Sequence, residues 1–303
     1  MAGSQDFAAD PRNATALVWL NGDLIPKSEA RVSIFDAGFV LGDGVWEGLR
    51  LHRGRLMFLD AHLDRLFEGA AAIELDIGLS RQGVVDALQA LFAANGMTDG
   101  VHIRLMVTRG EKAAANQDPR NALGRPTIVI VAEWKTPSPT LATSGLKLAS
   151  VAVRCTPREM FDMRLNSHSR LNLILALQEA IRAGADEALM LDPHGFVASC
   201  NATNFFWVRD GEVLTSRDDY CFNGVTRANV MALARDNGLT LVQGDFSLED
   251  ARGAEEAFVT GTFGGLTPVR EIDGRVLPQA LPGPVTTRLR RLYDALKDAE
   301  AAR

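Results

Sequence analysis

Two kinds of apolar periodicity run through the first half of the chain and predict a mixture of strands and helices. Apolar residues lie on both sides of an Asn-Gly pair in residues 17–25, which is typical of a β-hairpin on a tight turn. Leucines at helical spacing predict a helix over residues 60–72, and regular alternation predicts a strand over residues 101–108. The other elements predicted in this half are a hairpin near residues 52–55, a helix over about 80–94 and a strand over 127–133.

The second half contains the same mixture after a stretch of different composition. Residues 134–144 hold two prolines and several small polar residues, which favour an extended linker. The elements predicted beyond it are strands over 146–153, 187–191, 196–199, 204–208, 212–214 and 257–260, helices over 226–237 and about 284–299, and a capping box at 247–250. We therefore expect a mixed α/β protein with a smaller N-terminal domain (14–133) and a larger C-terminal domain (145–303).

The junction before a further predicted helix is dense in polar side chains. Asn166, Ser167, His168, Ser169 and Arg170 follow one another, and apolar residues then recur at roughly helical spacing. A rigid helix start is a common platform for active-site groups, so these residues are candidates for a functional site. The alternative interpretation is an ordinary helix start that Ser167 or Ser169 caps.

Two glycine-containing stretches of the second half have the features of an anion site. In residues 223–226 a glycine precedes the first turn of a predicted helix, where free N–H groups and the helix dipole favour phosphate. In residues 260–265 a predicted strand opens into a glycine-rich turn with hydroxyl groups. Ordinary caps and turns give the same patterns, and a guanidinium such as that of Arg65 would complete a phosphate site.

Composition and charge narrow the classes of function. The chain has 303 residues and a formal net charge of −6, so we expect no nucleic-acid partner. No stretch has the length of a membrane span, and the N-terminus lacks a signal-peptide pattern. The three cysteines, Cys155, Cys200 and Cys221, lack metal-ligand spacing. We therefore expect free thiols, no metal site and a cytoplasmic location.

Six motifs resemble, in their order along the chain, those of the class IV aminotransferases, the fold-type IV pyridoxal-phosphate enzymes. They lie at residues 39–48, 59–66, 184–188, 204–206, 224–227, and 260–262 followed by 267–269. This group includes branched-chain and D-amino-acid aminotransferases and aminodeoxychorismate lyase. The resemblance implies a D-amino-acid aminotransferase-like fold, pyridoxal 5'-phosphate as cofactor, an amino acid or amine as small-molecule substrate, and a homodimer.

The resemblance also implies roles for single residues. The cofactor phosphate would be bound by Arg65 together with four residues of the two glycine-containing stretches, namely Val225, Thr226, Gly261 and Thr262. Ser199 and Asn204 would also belong to the cofactor site.

Four further residues would lie close to the substrate. Phe39, Arg104 and Gly264 would lie near its pocket, and Arg120 or Arg125 of the loop over 109–125 would meet a substrate carboxylate.

The chain departs from the family's pattern at three positions beside the cofactor ring. Asn166 stands in place of the lysine that forms the Schiff base and moves the substrate proton, which an amide cannot do. Ser199, five residues before Asn204, replaces the glutamate that pairs with the pyridine nitrogen, so the ring is a poorer electron sink. Arg170 stands where many members have a tyrosine. Among the five lysines, Lys147 is the one to check as a substitute.

Three functions follow from this combination. The first is a class IV aminotransferase or lyase that uses pyridoxal phosphate without a covalent lysine. The second is a cofactor-independent enzyme that does acid–base or thiol chemistry in the same cleft, and its candidate residues are His168, Cys200, Cys221, Asn166 and Arg170. A backbone-bonded histidine and buried inert thiols are the competing interpretation. The third is a non-catalytic protein that binds a phosphorylated ligand. We carry the first forward because the resemblance covers nearly the whole chain.

Overall fold

The computed structural model describes residues 3–303, which fall into two compact units. The N-terminal unit comprises Ala9–Thr136, Leu165–Ser169 and Glu300–Arg303. The C-terminal unit comprises residues 3–8, Pro137–Arg164 and Arg170–Ala299. Each unit has its own β-sheet, and separate clusters of buried apolar residues pack against each sheet. The mixed α/β class predicted from the sequence is therefore confirmed.

An antiparallel sheet forms the centre of the N-terminal unit. Its six strands are β1 (Leu17–Leu20), β2 (Asp23–Pro26), β3 (Gly44–His52), β4 (Arg55–Leu56), β5 (Val101–Thr108) and β6 (Thr127–Trp134). Their spatial order is β2-β1-β6-β5-β3-β4. The helices of this unit are α1 (Ala37–Leu41), α2 (Leu59–Ala72) and α3 (Arg81–Asn95).

Alternation along these strands gives the sheet two different faces. Leu49 and Ile103 pack on one face in the same buried cluster as Leu63 of α2 and Leu88 of α3. The alternate residues of β3 and β5 point to the opposite face, where Arg104 pairs in register with Gly48. The face that α2 and α3 cover is thus the core face, and the other carries polar side chains.

A mixed sheet forms the centre of the C-terminal unit. Its nine strands are β7 (Leu146–Ser150), β8 (Glu187–Leu191), β9 (Val197–Cys200), β10 (Asn204–Arg209), β11 (Glu212–Ser216), β12 (Leu241–Gly244), β13 (Glu256–Gly261), β14 (Gly265–Ile272) and β15 (Arg275–Val276). The spatial order is β12-β11-β10-β13-β14-β7-β8-β9, with β15 also paired to β14. The helices are α4 (Leu141–Ser144), α5 (Leu171–Arg182), α6 (Val225–Asp236), α7 (Leu248–Arg252) and α8 (Pro284–Ala301). No helix among residues 3–303 has both the length and the apolar character that a membrane span needs.

The predicted linker over 134–144 is wrong in part. Trp134 is the last residue of β6 and is buried, and Leu141–Ser144 forms the short helix α4 with Leu141 buried. Burial of a large apolar side chain at each end overrides the extended preference of the two prolines. Only the middle of the predicted segment connects the two units.

The capped-helix interpretation of residues 164–172 is also wrong. Helix α5 begins at Leu171, and Arg170 at its N-cap makes no side-chain capping hydrogen bond. The Ser169 hydroxyl instead donates to the carbonyl of Gly42 at 3.2 Å. Both candidate serines lie in Leu165–Ser169, which belongs to the N-terminal unit.

Candidate functional site

Residues 165–169 are held against the beginning of β3. The Trp46 backbone N–H donates to the Asn166 carbonyl at 2.8 Å, and the His168 N–H donates to the Gly44 carbonyl at 2.9 Å. The Trp46 indole N–H also donates to the Ser167 carbonyl at 3.0 Å. A Cβ on Gly44 would lie 2.7 Å from the His168 ring, so only glycine permits this approach. The polar segment is therefore fixed by backbone pairing.

The side chain of Asn166 points to a buried carboxylate. Asn166 is 4% exposed, and its Nδ2 donates to Oε1 of Glu47 at 3.5 Å. Glu47 follows Trp46 on β3, so the strand that holds the Asn166 backbone also supplies the acceptor for its amide. The position that the resemblance assigns to a catalytic lysine thus carries an amide that is hydrogen bonded inside the N-terminal unit.

Glu47 is the centre of a buried charged cluster. Its carboxylate accepts Nε of Arg65 at 2.7 Å on Oε1 and Nη2 of Arg65 at 2.7 Å on Oε2. His62 Nδ1 lies 2.7 Å from the same Oε2. His62 and Arg65 are three residues apart on α2 and therefore share the helix face that meets the strand. The two parallel Arg–carboxylate bonds give the pair a fixed geometry.

The charge state of Glu47 follows from these partners. Burial by itself raises the pKa of this carboxyl group, but the hydrogen bonds from Arg65 and His62 outweigh burial, and the pKa is lowered overall. Glu47 is therefore ionised at neutral pH. Arg65 is the residue that we expect to bind the cofactor phosphate. Two of its donors, Nε and Nη2, are hydrogen bonded to the Glu47 carboxylate.

The opposite face of the N-terminal sheet carries a cationic and aromatic surface. The Arg104 guanidinium lies 3.6 Å from the centroid of the Trp46 ring, which is a cation–π contact. Gly48, which pairs with Arg104, leaves room between Trp46 and His102. Burial lowers the pKa of His102 to about 3, and the nearby cations Lys135 and Arg50 add to this effect. His102 is therefore neutral at physiological pH, and Arg104 is a cation on this face.

The other expected substrate residues lie at separate places. Phe39 on α1 is 75% exposed. Arg120 is also exposed, and its Nη2 forms an ion pair with Asp118 at 2.6 Å within the loop between β5 and β6. Gly264 belongs to the C-terminal unit, in the turn between β13 and β14.

The C-terminal unit contains a group of hydroxyls and backbone N–H groups suited to an anion. Helix α6 begins at Val225 without a side-chain cap, so its first N–H groups are not used by a capping residue. Thr226 in that turn is buried, and so is Thr260 near the end of β13. Thr260 Oγ1 has no hydrogen-bond partner within the described residues. A buried hydroxyl of this kind fits an anionic oxygen such as that of a phosphate.

Asn204 connects the two parts of this group. It pairs in register with Thr260, and its Nδ2 donates to the carbonyl of Phe222 at 2.7 Å in the loop before α6. A Cβ on Gly224 would collide with the Asn204 amide oxygen, so Gly224 is required at this contact. Asn204 thereby sets the distance between the β13 end and the α6 start. We call Val225, Thr226, Thr260, Gly261 and Thr262 the hydroxyl cup.

Two of the remaining predicted ring contacts have local partners. The Arg170 guanidinium lies 5.5 Å from the Phe222 ring centroid, close to the loop before α6. The Ser199 hydroxyl donates to the carbonyl of Thr203 at 3.0 Å within the turn between β9 and β10.

The thiols and the alternative lysine are not placed as reactive groups. Burial raises the pKa of the thiols of Cys200 and Cys221, which disfavours thiolate chemistry. Lys147 forms an ion pair with Glu271 at 3.6 Å on neighbouring strands. Among residues 3–303, no three His, Cys, Asp or Glu side chains are grouped so that they could hold a metal ion.

Sequence reasoning assigned no role to Glu47, His62 or Trp46. A signal was present, because Glu47 occupies an inward position in the alternation of β3, between Val45 and Leu49. An acid in that position needs a buried cationic partner, and the helix that covers this face carries His62 and Arg65.

Comparisons with known proteins give consistent similarities. The family model described as amino-transferase class IV matches residues 44–272. The chain is 39% identical, over 95% of its length, to branched-chain-amino-acid aminotransferase-like protein 2 of Arabidopsis thaliana, and it spans about half of that relative (51%). It is 36% identical to the putative branched-chain-amino-acid aminotransferase of Methanocaldococcus jannaschii, over 92% of this chain and 96% of the relative.

A solved structure agrees with the predicted architecture. The branched-chain aminotransferase of the thermophilic archaeon Thermoproteus uzoniensis, solved with norvaline, superposes with a TM-score of 0.84 at 30% identity. The match covers 94% of this chain and 95% of that chain. The expected fold-type IV architecture is therefore confirmed.

Proposed function

Since the chain belongs to the class IV aminotransferases, we propose that it is a divergent member that holds pyridoxal phosphate without a covalent bond and acts on an amino acid or amine. The observation that carries the proposal is the amide of Asn166. It stands at the position that the family resemblance gives to the lysine, and Glu47 accepts its hydrogen bond. An amide has no nucleophilic nitrogen, and it neither gains nor loses a proton as an acid or base near neutral pH.

The hydroxyl cup supports retention of the phosphate. The first N–H groups of α6 and the hydroxyls of Thr226, Thr260 and Thr262 are the donors that a phosphate dianion needs. The buried Thr260 hydroxyl, which lacks a partner among the described residues, is stabilised only when such an acceptor is bound. The residues present therefore fit the phosphate of the family's cofactor.

The chemistry of the chain's own residues is limited to binding and orientation. When bound, pyridoxal phosphate supplies an aldehyde that condenses with an amino group and a ring that withdraws electrons from the neighbouring carbon. Asn166 offers hydrogen bonds from its amide but cannot remove a proton from the substrate. Ser199 provides a hydroxyl in place of a carboxylate, so the ring nitrogen loses a negatively charged partner. We expect amino transfer to be slow or limited to a single turnover.

Arg104 supports an anionic substrate group. It is exposed on the open face of the N-terminal sheet, and its stacking on Trp46 fixes the plane of the guanidinium. A substrate carboxylate can accept two parallel hydrogen bonds from such a plane. We therefore propose that the substrate is an amino acid or an amine with an acidic group.

We further propose that the protein is a cytoplasmic homodimer. The three cysteines are free and buried, which suits a reducing compartment. Helix α5 exposes an apolar stripe that an isolated chain would leave in water: Leu171 (67%), Ile174 (53%), Leu175 (43%) and Ile181 (47%). Light scattering of the purified protein tests this proposal, and a mass of one chain at micromolar concentration contradicts it.

The test of the main proposal compares covalent and non-covalent binding. We expect wild-type protein mixed with pyridoxal phosphate to gain thermal stability but to show no adduct after borohydride reduction and intact mass measurement. The Asn166→Lys variant is expected to give a reducible adduct that peptide mapping places at residue 166. Asn116→Lys, in an exposed loop, is the matched control and should give none above the wild-type level.

Two outcomes would overturn the proposal. One is a wild-type adduct on any of the five lysines, because a substitute amine would then exist. The other is absence of any binding of pyridoxal phosphate.

A non-catalytic binder of a phosphorylated ligand is the second candidate, and the same cup favours it. Wild-type protein that binds pyridoxamine 5'-phosphate but produces no pyridoxal phosphate from any keto acid, even at stoichiometric concentration, would favour this candidate. Cofactor-independent thiol chemistry is not carried further, because burial raises the pKa of both candidate thiols.

A further inference from the structure

Tyr293 of the last helix contacts Thr226 of the hydroxyl cup and also β14, the strand that pairs with the β13 part of the cup. It is 4% exposed, and its Oη lies 3.4 Å from Oγ1 of Thr226 in the first turn of α6. Its ring lies against Gly265 at the beginning of β14, where a Cβ would be 3.5 Å from the ring. Gly265 pairs with Gly261, the last residue of β13. One side chain thus contacts the start of α6 and the strand that pairs with β13.

The last helix is also fixed to the far end of β13. The carboxylate of Glu256, the first residue of that strand, accepts the N–H groups of Val285 at 3.0 Å and Thr286 at 2.8 Å. Tyr293 is eight residues beyond Val285 and therefore lies about 12 Å further along the helix at 1.5 Å per residue. Thr260 lies about 13 Å further along the strand at 3.3 Å per residue. Strand β13 and helix α8 are therefore joined at Glu256, and Thr260 and Tyr293 lie at similar distances from this joint.

The hydroxyl of Tyr293 remains protonated over the physiological range. Burial raises the pKa of Tyr293 to about 12, although the hydrogen bond with Thr226 opposes this shift. A protonated phenol can donate to Thr226 Oγ1, which leaves the proton of Thr226 for another acceptor. The separation of 3.4 Å is longer than a usual O–H···O bond, so the contact restrains the Thr226 rotamer without locking it.

We propose that Tyr293 is a positioning residue for phosphate binding, acting through the Thr226 hydroxyl. This inference rests on the proposed function, because it assumes that the hydroxyl cup binds the phosphate of the cofactor. The competing interpretation is that Tyr293 is only a core residue that packs on Gly265. The two interpretations differ in whether the phenol oxygen, as distinct from the ring, affects a phosphate-bearing ligand.

The Tyr293→Phe variant separates these interpretations, because it keeps the ring and removes the oxygen. We measure by calorimetry the dissociation constants of pyridoxamine 5'-phosphate, pyridoxamine and inorganic phosphate. Loss of one hydrogen bond is expected to weaken the two phosphate-bearing ligands about fivefold and to leave pyridoxamine unchanged. Tyr220→Phe is the matched control, since Tyr220 is the only other tyrosine and contacts His194. All its constants should equal those of the wild type.

A double-mutant cycle tests whether the effect passes through Thr226. In the Thr226→Ala background, Tyr293→Phe should cause no further loss of affinity. Additive losses, equal losses for pyridoxamine and its phosphate, or no loss at all would each overturn the inference. The melting temperature without ligand reports any general damage to the unit.

The same titrations distinguish failure of this inference from failure of the proposed function. Wild-type binding of pyridoxamine 5'-phosphate with no effect of Tyr293→Phe leaves the proposed function intact and removes the inference. If the wild type binds inorganic phosphate but neither pyridoxamine ligand, the cofactor proposal is wrong. The effect of Tyr293→Phe on the dissociation constant of inorganic phosphate then decides whether Tyr293 positions Thr226. If wild type binds none of the three ligands, both are wrong.

Discussion

Glu47 in the N-terminal unit and Glu187 in the C-terminal unit are both almost completely buried, but the pKa values of their carboxyl groups are shifted in opposite directions. Glu47 has a cationic partner, Arg65, and a further hydrogen-bond partner, His62, and its pKa is lowered. Glu187 in the C-terminal unit has neutral donors, the Ser4 N–H at 3.2 Å and the Thr203 hydroxyl at 2.7 Å, and burial raises its pKa. The comparison teaches that the charge of the partners, and not the depth of burial, decides whether a buried carboxyl group is ionised.

The opposite shifts have opposite consequences for stability. Glu47 has a lower pKa in the folded state than the ordinary 4.5, so its contribution is complete above pH 4.5 and disappears as the pH falls through the folded value. Glu187 has a raised folded pKa. Its contribution is present below pH 4.5 and disappears as the pH rises through the folded value. Acid therefore weakens the cluster around Glu47 and favours the protonated form of Glu187.

The largest effect is expected when Glu47 loses its charge. The isosteric Glu47→Gln substitution removes the buried carboxylate that Arg65 binds through two hydrogen bonds, and loss of one partner of such a pair typically costs about 3 kcal/mol or more. We expect the melting temperature of the N-terminal unit to fall by roughly 10 °C, measured by calorimetry at pH 7. Asp60→Asn on the exposed face of α2 is the control and should change little. A shift as small as that of the control would mean that the ion pair does not stabilise the unit.

A change of pH is expected to have an intermediate effect on the stability difference between the wild type and Glu47→Gln. Because the pKa of Glu47 is lowered, the stability gap between wild type and Glu47→Gln should be complete at pH 7 and should narrow as the pH falls below 4.5. Urea unfolding followed by tryptophan fluorescence from pH 7 to pH 3 measures this gap. A gap that stays constant down to pH 3 would show that the variant is destabilised by altered packing and not by loss of charge.

The smallest effect is expected at Glu187. The Glu187→Gln substitution removes a charge that has only neutral partners, and the Thr203 hydroxyl can turn to accept from the new amide. We expect a change below about 1 kcal/mol at pH 8, with wild type and variant melting within a few degrees. Calorimetry of the wild type, Glu187→Gln and Glu47→Gln under the same conditions measures the three melting temperatures. A loss as large as that of Glu47→Gln would mean that Glu187 has a cationic partner.

Local patterns predicted most of the elements but not which faces are buried. The spacing of Leu171, Ile174 and Leu175 predicted a helix, and α5 is present. Its buried positions are nevertheless Ala176 and Ala180, and the larger apolar side chains are exposed. Periodicity gives the orientation of a helix only if its most apolar side faces the core of the same chain.

The site depends on contacts that have no local signal. The pairing of Asn166 and His168 with β3 joins residues more than 100 positions apart, and nothing in residues 165–169 alternates like a strand. The role of Asn204 was assigned to the cofactor by resemblance, while the structure uses its amide to fix the loop at Phe222. Resemblance identifies positions, and only the fold identifies the partners of each side chain.

The five residues Leu165–Ser169 have a consequence for how such a protein can be rearranged. They are encoded within the second half of the chain but belong to the N-terminal unit. A fragment that ends at Thr136 lacks them, and with them the carbonyl that receives the Trp46 N–H. Recombination between two relatives at the linker would therefore exchange an incomplete unit, and residue 166 would arrive from one parent to face residue 47 of the other. Exchange that preserves this pair requires two crossovers on either side of the segment.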